Sequence, residues 1–230
     1  LGDSNCFGGM VHANQGPGIK LQGSATTGNL LRSVEAGSVA QPNTGHGIWI
    51  DGASGTAMSY VVSVIGNGGD GIRVEAGSGN WFDGNNYGVI HSNGGLGIDL
   101  GGDGVTKNDF ADRDDGSNRL QNHPVVTSAS GNGSVSGVLT SAPNATFRIE
   151  FFSNSSCDPG GYGEGESFSG AIMVQTGTNG VGTFSGSVTF ALGQFFVSAS
   201  ATDEAGNTSE FSPCLPIANA RPRFVKGPDQ

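Results

Sequence analysis

The sequence predicts an all-β chain: a short parallel β-helix followed by an immunoglobulin-like β-sandwich. Three observations predict it. A phrase recurs four times, as Asn14-Gln-Gly-Pro-Gly-Ile19, Asn43-Thr-Gly-His-Gly-Ile48, Asn67-Gly-Gly-Asp-Gly-Ile72 and Asn93-Gly-Gly-Leu-Gly-Ile98. Each copy runs on into a short alternating stretch, such as Ile48-Trp49-Ile50 or Ile72-Arg73-Val74. Beyond it, residues 124–216 carry about six or seven alternating segments separated by polar turns.

The four Asn positions lie 29, 24 and 26 residues apart, a period typical of stacked repeat units. Period-two alternation of aliphatic residues is the strand signal. One such strand per repeat leaves room for two more, with Val61–Ile65 and Tyr87–Ile90 as candidates. Coils laid on one another at roughly 4.8 Å would stack Ile19, Ile48, Ile72 and Ile98 in one interior column. Leu21, Ile50, Val74 and Leu100 would form the next. The glycines permit tight turns with positive φ. Asn14, Asn43, Asn67 and Asn93 would form a ladder of side-chain amides, as identical polar residues do in cross-β stacks.

Residues 1–13 precede the first Asn, and Gly8, Gly9, Val11 and His12 are expected to belong to an incomplete coil. No capping helix is visible in the sequence, so this end is expected to present unpaired strand edges. The expected organisation is a β-helix of three to four coils over residues 1–104, an acidic connector over 105–123, the sandwich over 124–216 and a tail over 217–230.

Composition supports an extracellular, turn-rich protein: 42 of 230 residues are Gly and 13% are charged. A formal net charge of −10 disfavours nucleic acid and anionic lipid as partners. No apolar run of 18 residues suggests a membrane span. The chain opens on Leu1 without a signal sequence, as expected for a mature or excised form. Of three cysteines, Cys157 and Cys214 flank the second unit and could clamp it, the alternative being two buried thiols; Cys6 is left over. A disulfide would imply export.

Six aspartates crowd residues 99–123. Like charges this close repel unless a cation or a proton intervenes. Asp103, Asp109, Asp112, Asp114, Asp115 and Asn118 are therefore candidate Ca²⁺ ligands, since Ca²⁺ takes six to eight oxygens. The spacing resembles the acidic half of a calcium loop without its terminal Glu, and a solvated connector is the competing expectation. Asp203, Asn207 and Glu210 form a second candidate cation group, set against an ordinary turn.

In the sandwich, Phe147, Ile149 and Phe151 are expected to face Phe184, Val188 and Phe190. His12, His46, His91 and His123 show no metal-ligand spacing and are expected in solvated turns. No nucleophile elbow or phosphate loop is present.

The segments Gly97-Ile-Asp-Leu-Gly-Gly-Asp-Gly, Leu120-Gln-Asn-His-Pro-Val-Val126, Phe147-Arg-Ile-Glu-Phe-Phe and Ala201-Thr-Asp-Glu-Ala-Gly-Asn-Thr-Ser-Glu-Phe-Ser-Pro-Cys214 resemble large bacterial surface proteins. In that family, right-handed parallel β-helix repeats precede an immunoglobulin-like domain. The resemblance implies an exported surface or secreted protein without an assigned catalytic constellation. Members are usually much longer, so a longer parent chain and a dedicated short subunit are both compatible with it.

β-Helices also host polysaccharide lyases. An outward column of Lys20, Trp49, Arg73 and Asp99, flanked by Gln22, Asp51 and Glu75, would offer a base, carboxylates and a sugar-stacking ring. Trp49, Asp51, Arg73 and Glu75 are the candidate glycan contacts. Opposite charges on neighbouring coils are also ordinary cross-strand pairs. The favoured expectation is a non-enzymatic structural or adhesive protein. It would self-associate through open β-helix ends or strand addition, with Arg223–Lys226 as a candidate donor strand.

Overall fold

The computed structural model describes residues 6–83 and 88–220. It is all-β, and its first part is a parallel solenoid of about three turns. One wall is the parallel sheet of β2 (Ile19–Gln22), β4 (Ile48–Asp51), β6 (Ile72–Ala76) and β9 (Ile98–Leu100). Ile19 pairs with Ile48, Ile48 with Ile72, and Ile72 with Ile98, so the expected interior column forms. Ile48, Ile50, Ile72, Val74 and Leu100 are fully enclosed.

The second wall is made by β1 (Cys6–Val11), β3 (Leu30–Ala36) and β5 (Ala57–Ile65), all parallel. β3 and β5 turn a corner within their length, at Ser33 (φ 51°) and Tyr60 (φ 59°). In the last coil the corresponding stretch divides into β7 (Trp81–Phe82) and β8 (Val89–His91), which pair with the two halves of β5. Tyr87, the first residue of the Tyr87–Ile90 candidate strand, lies outside the described residues. Leu31, Met58 and Phe82 stack in one interior column, and Ala36, Val64 and Ile90 in another.

The second unit has two antiparallel sheets. One contains β10 (Val125–Ala129), β11 (Ser134–Thr140) and β14 (Val181–Ser187). The other runs β13 (Ser167–Gln175), β12 (Thr146–Asn154), β15 (Phe196–Asp203) and β16 (Leu215–Pro216). Phe147, Ile149 and Phe151 are buried between them with Phe184 and Val188, and Phe151 meets Phe184 edge-on at 5.6 Å. Phe190 packs at the margin.

β12 is buried on both faces. Strand alternation sets Phe152 on the face opposite Phe151 and into the solenoid's core, at the point where β13 bulges at Ser169. There Phe152 meets Phe211 edge-on at 5.2 Å. The two apolar cores therefore lie back to back across one strand.

Two boundaries differ from expectation. Leu215–Pro216 pairs with β15, and Ile217 is buried, so the packed chain extends past 216; residues 221–230, with the candidate donor strand, lie outside the described residues. The connector is not simply solvated, because Ser117, Asn118, Gln121, Asn122 and His123 are buried. His123 departs from the expectation of solvated histidines: it packs edge-on against Tyr162, and burial holds its pKa below the ordinary value.

Candidate functional site

The acidic connector gathers part of the predicted cation set. Carboxylate oxygens of Asp109, Asp112 and Asp114 lie within 4.8 Å of one another. Asn122 builds the group. Its side chain accepts from Asp109 N–H and donates to the carbonyls of Asp109 and Thr140, while its own N–H donates to Asp112 Oδ1. Ser141 Oγ donates to Asp112 Oδ2 at 2.8 Å. Asp114 Oδ1 is buried and has no hydrogen-bond partner among the described residues. Burial pushes the Asp112 carboxyl up to about 6 and also raises Asp114, to which Asp109 adds. Hard oxygen donors, an unpartnered carboxylate oxygen and mutual repulsion suit a hard cation such as Ca²⁺. The spare oxygens are few, since Asp109 and Asp112 already accept hydrogen bonds.

The other candidates disperse. Asp112, Asp114, Asp115, Asp203 and Glu204 line one cleft of about 580 Å³ with Arg113 and Arg119. Asp103 lines a second depression with Glu75 and Thr106, which Asp114 also borders. Asp203 accepts from the backbone and side-chain amides of Asn207, whose Oδ1 takes Gly79 N–H. Asn118 is fully buried and bridges to Asn80, so its oxygen serves the backbone instead of facing the carboxylates. Glu210 points into the end of the solenoid.

The Asn ladder is continuous and directional. Asn14 donates through N–H and Nδ2 to Asn43 Oδ1, and Asn67 donates in the same way to Asn93 Oδ1. Between them, Asn43 Nδ2 donates to Asn67 Oδ1 at 2.9 Å. Each inner Asn also donates to a strand carbonyl of the coil before it: Asn43 to Val11, Asn67 to Ala36, Asn93 to Val64.

At the C-terminal end of the solenoid, side chains of the second unit take the place of a further coil. Glu164 Oε1 accepts both the N–H and the Nδ2 of Asn93, and Oε2 accepts Ser92 N–H. Glu210 accepts Leu100 N–H and Thr106 N–H. Thr208 Oγ1 takes Phe82 N–H, Asn118 Oδ1 takes Asn80 N–H, and Gly165 exchanges two backbone bonds with Ile90. Burial pushes the Glu164 and Glu210 carboxyls up to about 7. The Cys157–Cys214 disulfide (2.04 Å) ties the loop leading to Glu164 to the segment just before β16.

The N-terminal end differs. β1 and β2 each pair on one side only among the described residues. Met10 is 72% exposed and Phe7 43%, and Cys6 is an exposed free thiol.

The outward column is internally paired. Lys20 Nζ lies 3.7 Å above the Trp49 ring and 3.1 Å from Asp51, to which Gln22 also donates. Arg73 pairs with Glu75 at 2.7 Å. Asp99 is buried, and its carboxyl is pushed up to about 6 by burial and by Asp70.

No helix of the described residues is long and apolar enough to cross a membrane. No family model matches the chain, and no curated protein matches it significantly. The class of protein defined by the fold is therefore a parallel β-solenoid closed at one end by a disulfide-linked two-sheet unit.

Proposed function

We propose that this is a non-enzymatic extracellular structural or adhesive protein, assembling through the N-terminal edge of its solenoid. The observation that carries the proposal is the contrast between the two ends: side chains close one, while at the other, among the described residues, two strands are paired on one side only and Phe7 and Met10 are exposed. Unpaired edges of this kind are templates for strand addition. The partner strand comes from a neighbouring copy or from a longer parent chain. The second unit is an immunoglobulin-like sandwich in this proposal, with three strands facing four, and the solenoid is right-handed. The disulfide supports an oxidising, extracellular setting. Ca²⁺ at Asp109, Asp112 and Asp114 supports the connector.

Sedimentation velocity and electron microscopy of the purified chain test the assembly. Association that grows with concentration and is lost on Met10→Lys is the expected result. Monomers alone at high concentration overturn it.

A second proposal, polysaccharide binding or lyase-like cleavage on the Trp49 wall, draws on the ring and charges of that face. Glycan binding lost on Trp49→Ala, or turnover of acidic polymers lost on Arg73→Ala, would favour it.

A further inference from the structure

The first coil carries a feature that its own contacts leave without a purpose. In the repeated Asn-x-Gly-x-Gly phrase, the third residue is Gly16, Gly45, Gly69 or Gly95. A Cβ at Gly45 would lie 2.8 Å from the Gly16 carbonyl carbon, and one at Gly69 would lie 2.8 Å from His46 Nδ1. A Cβ at Gly95 would lie 2.0 Å from Asp70 Oδ1. Each of these glycines is needed because the preceding coil presses on it. A Cβ at Gly16 would meet nothing within 4 Å, and Gly16 does not adopt a left-handed conformation that would itself demand glycine.

The ladder points the same way. Every inner Asn receives donors on Oδ1 from the Asn before it and gives Nδ2 to a carbonyl of the preceding coil. Asn14 donates onward to Asn43, but no described donor reaches its Oδ1. Beside it, Leu21 is half-buried, whereas Ile50, its partner on the next strand, is fully enclosed.

We infer that the N-terminal face is a docking site for a turn-and-strand segment of the same repeat, Asn-x-Gly-x-Gly-Ile-x-aliphatic, laid on it in parallel register. The segment's Asn donates through N–H and Nδ2 to Asn14 Oδ1. Its strand pairs with β2 and covers Ile19 and Leu21. Its second glycine is obligatory, because a Cβ at Gly18, Gly47 or Gly71 would stand 2.7, 2.7 or 2.9 Å from the Nδ2 of the following Asn. The last coil of a second copy does not serve, because Glu164 already occupies Asn93. Two first coils meeting head to head would run antiparallel, so they could pair strand edges but would not reproduce the parallel register of the ladder.

This inference rests on the proposal that the N-terminal edge is an assembly surface, and names its occupant. The probe is an acetylated peptide of residues 40–54, mixed with the full chain and read by hydrogen exchange. The expected result is slowed exchange at Ile19–Gln22, lost with the Asn43→Ala or Gly47→Val peptide. Gly16→Ala in the full chain should leave the melting temperature unchanged and weaken peptide binding at least tenfold. No protection by the native peptide, or equal protection by the altered peptides, overturns the inference. Equal binding to a folded Gly16→Ala chain overturns it too. Self-association without peptide binding would sink this inference and spare the assembly proposal. Peptide binding by a chain that stays monomeric would do the reverse.

Discussion

Glu164 stands to Asn93 as Asn93 stands to Asn67: one oxygen accepts both the backbone N–H and the side-chain amide of the residue one coil earlier. A carboxylate from the second unit thus imitates the next rung of an amide ladder. Replacing it by Ala removes the acceptor of three part-buried bonds, from Asn93 N–H, Asn93 Nδ2 and Ser92 N–H, at about 1 kcal/mol each. Glu164→Ala is therefore expected to destabilise by several kcal/mol in chemical denaturation, while Glu164→Gln, which keeps one oxygen, should cost less. Equal losses would show that charge, not acceptor geometry, closes the end.

The same carboxylate sets a pH dependence. Burial holds Glu164 and Glu210 near 7, against an ordinary 4.5. The folded chain keeps protons that the unfolded chain has already released, so stability is full below the unfolded value. It falls as pH rises toward 7 and levels off above, by about 1.4 kcal/mol for each unit of difference in pKa. The denaturation midpoint should be higher at about pH 5 than at about pH 8, with a shallower slope in Glu164→Gln. A midpoint rising across that range would contradict the assignment. Asp70 and Glu166 are held below their ordinary values and act only at more acidic pH.

Along the ladder, cost should follow position. Asn67→Ala strips a donor from the Ala36 carbonyl and an acceptor from Asn43, all buried. About 2–4 kcal/mol is expected. Asn14→Ala, at the outer rung, should cost about 1 kcal/mol or less. Melting temperatures of the two variants, compared with the parent, decide this, and equal shifts would argue against a continuous ladder.

Reduction of Cys157–Cys214 opens a closed loop with a sequence separation of 57. Loop entropy puts the loss at about 4 kcal/mol. Because the bridge anchors the loop leading to Glu164, hydrogen exchange at Ser92 and Asn93 should accelerate before exchange in β11 and β14. Uniform acceleration would place the effect in the unfolded chain alone.

Calcium should stabilise the fold by about 2.7 kcal/mol at one hundred times the dissociation constant, read as a higher melting temperature that chelation reverses. Asp114→Asn should abolish the response, whereas Asp203→Asn should leave it. Identical melts with and without Ca²⁺ would leave the connector a purely hydrogen-bonded structure built on Asn122.

The solenoid was legible because its signals are periodic: Ile48, Ile72 and Ile98 recur at matched offsets, and Asn43, Asn67 and Asn93 with them. The closed end was not. Glu164 and Glu210 reach partners 71 and 110 residues away and sit in polar stretches with no period to mark them. Asn118 looked like a cation ligand because acidic neighbours surround it in sequence, yet it continues a second column in which Thr56 donates its N–H to Asn80. The Thr at position 56 hides that column from a search for repeated Asn. Asp109, Asp112 and Asp114 were legible as a group, while Asp103 and Asp203 were drawn off by chain geometry that local spacing does not encode.

The strand β12 gives Phe147, Ile149 and Phe151 to one core and Phe152 to the other. Neither half can lose this strand and stay intact, so the chain should melt in one cooperative step. A gene cut at residue 123 would yield a solenoid without its lid and an insoluble remainder.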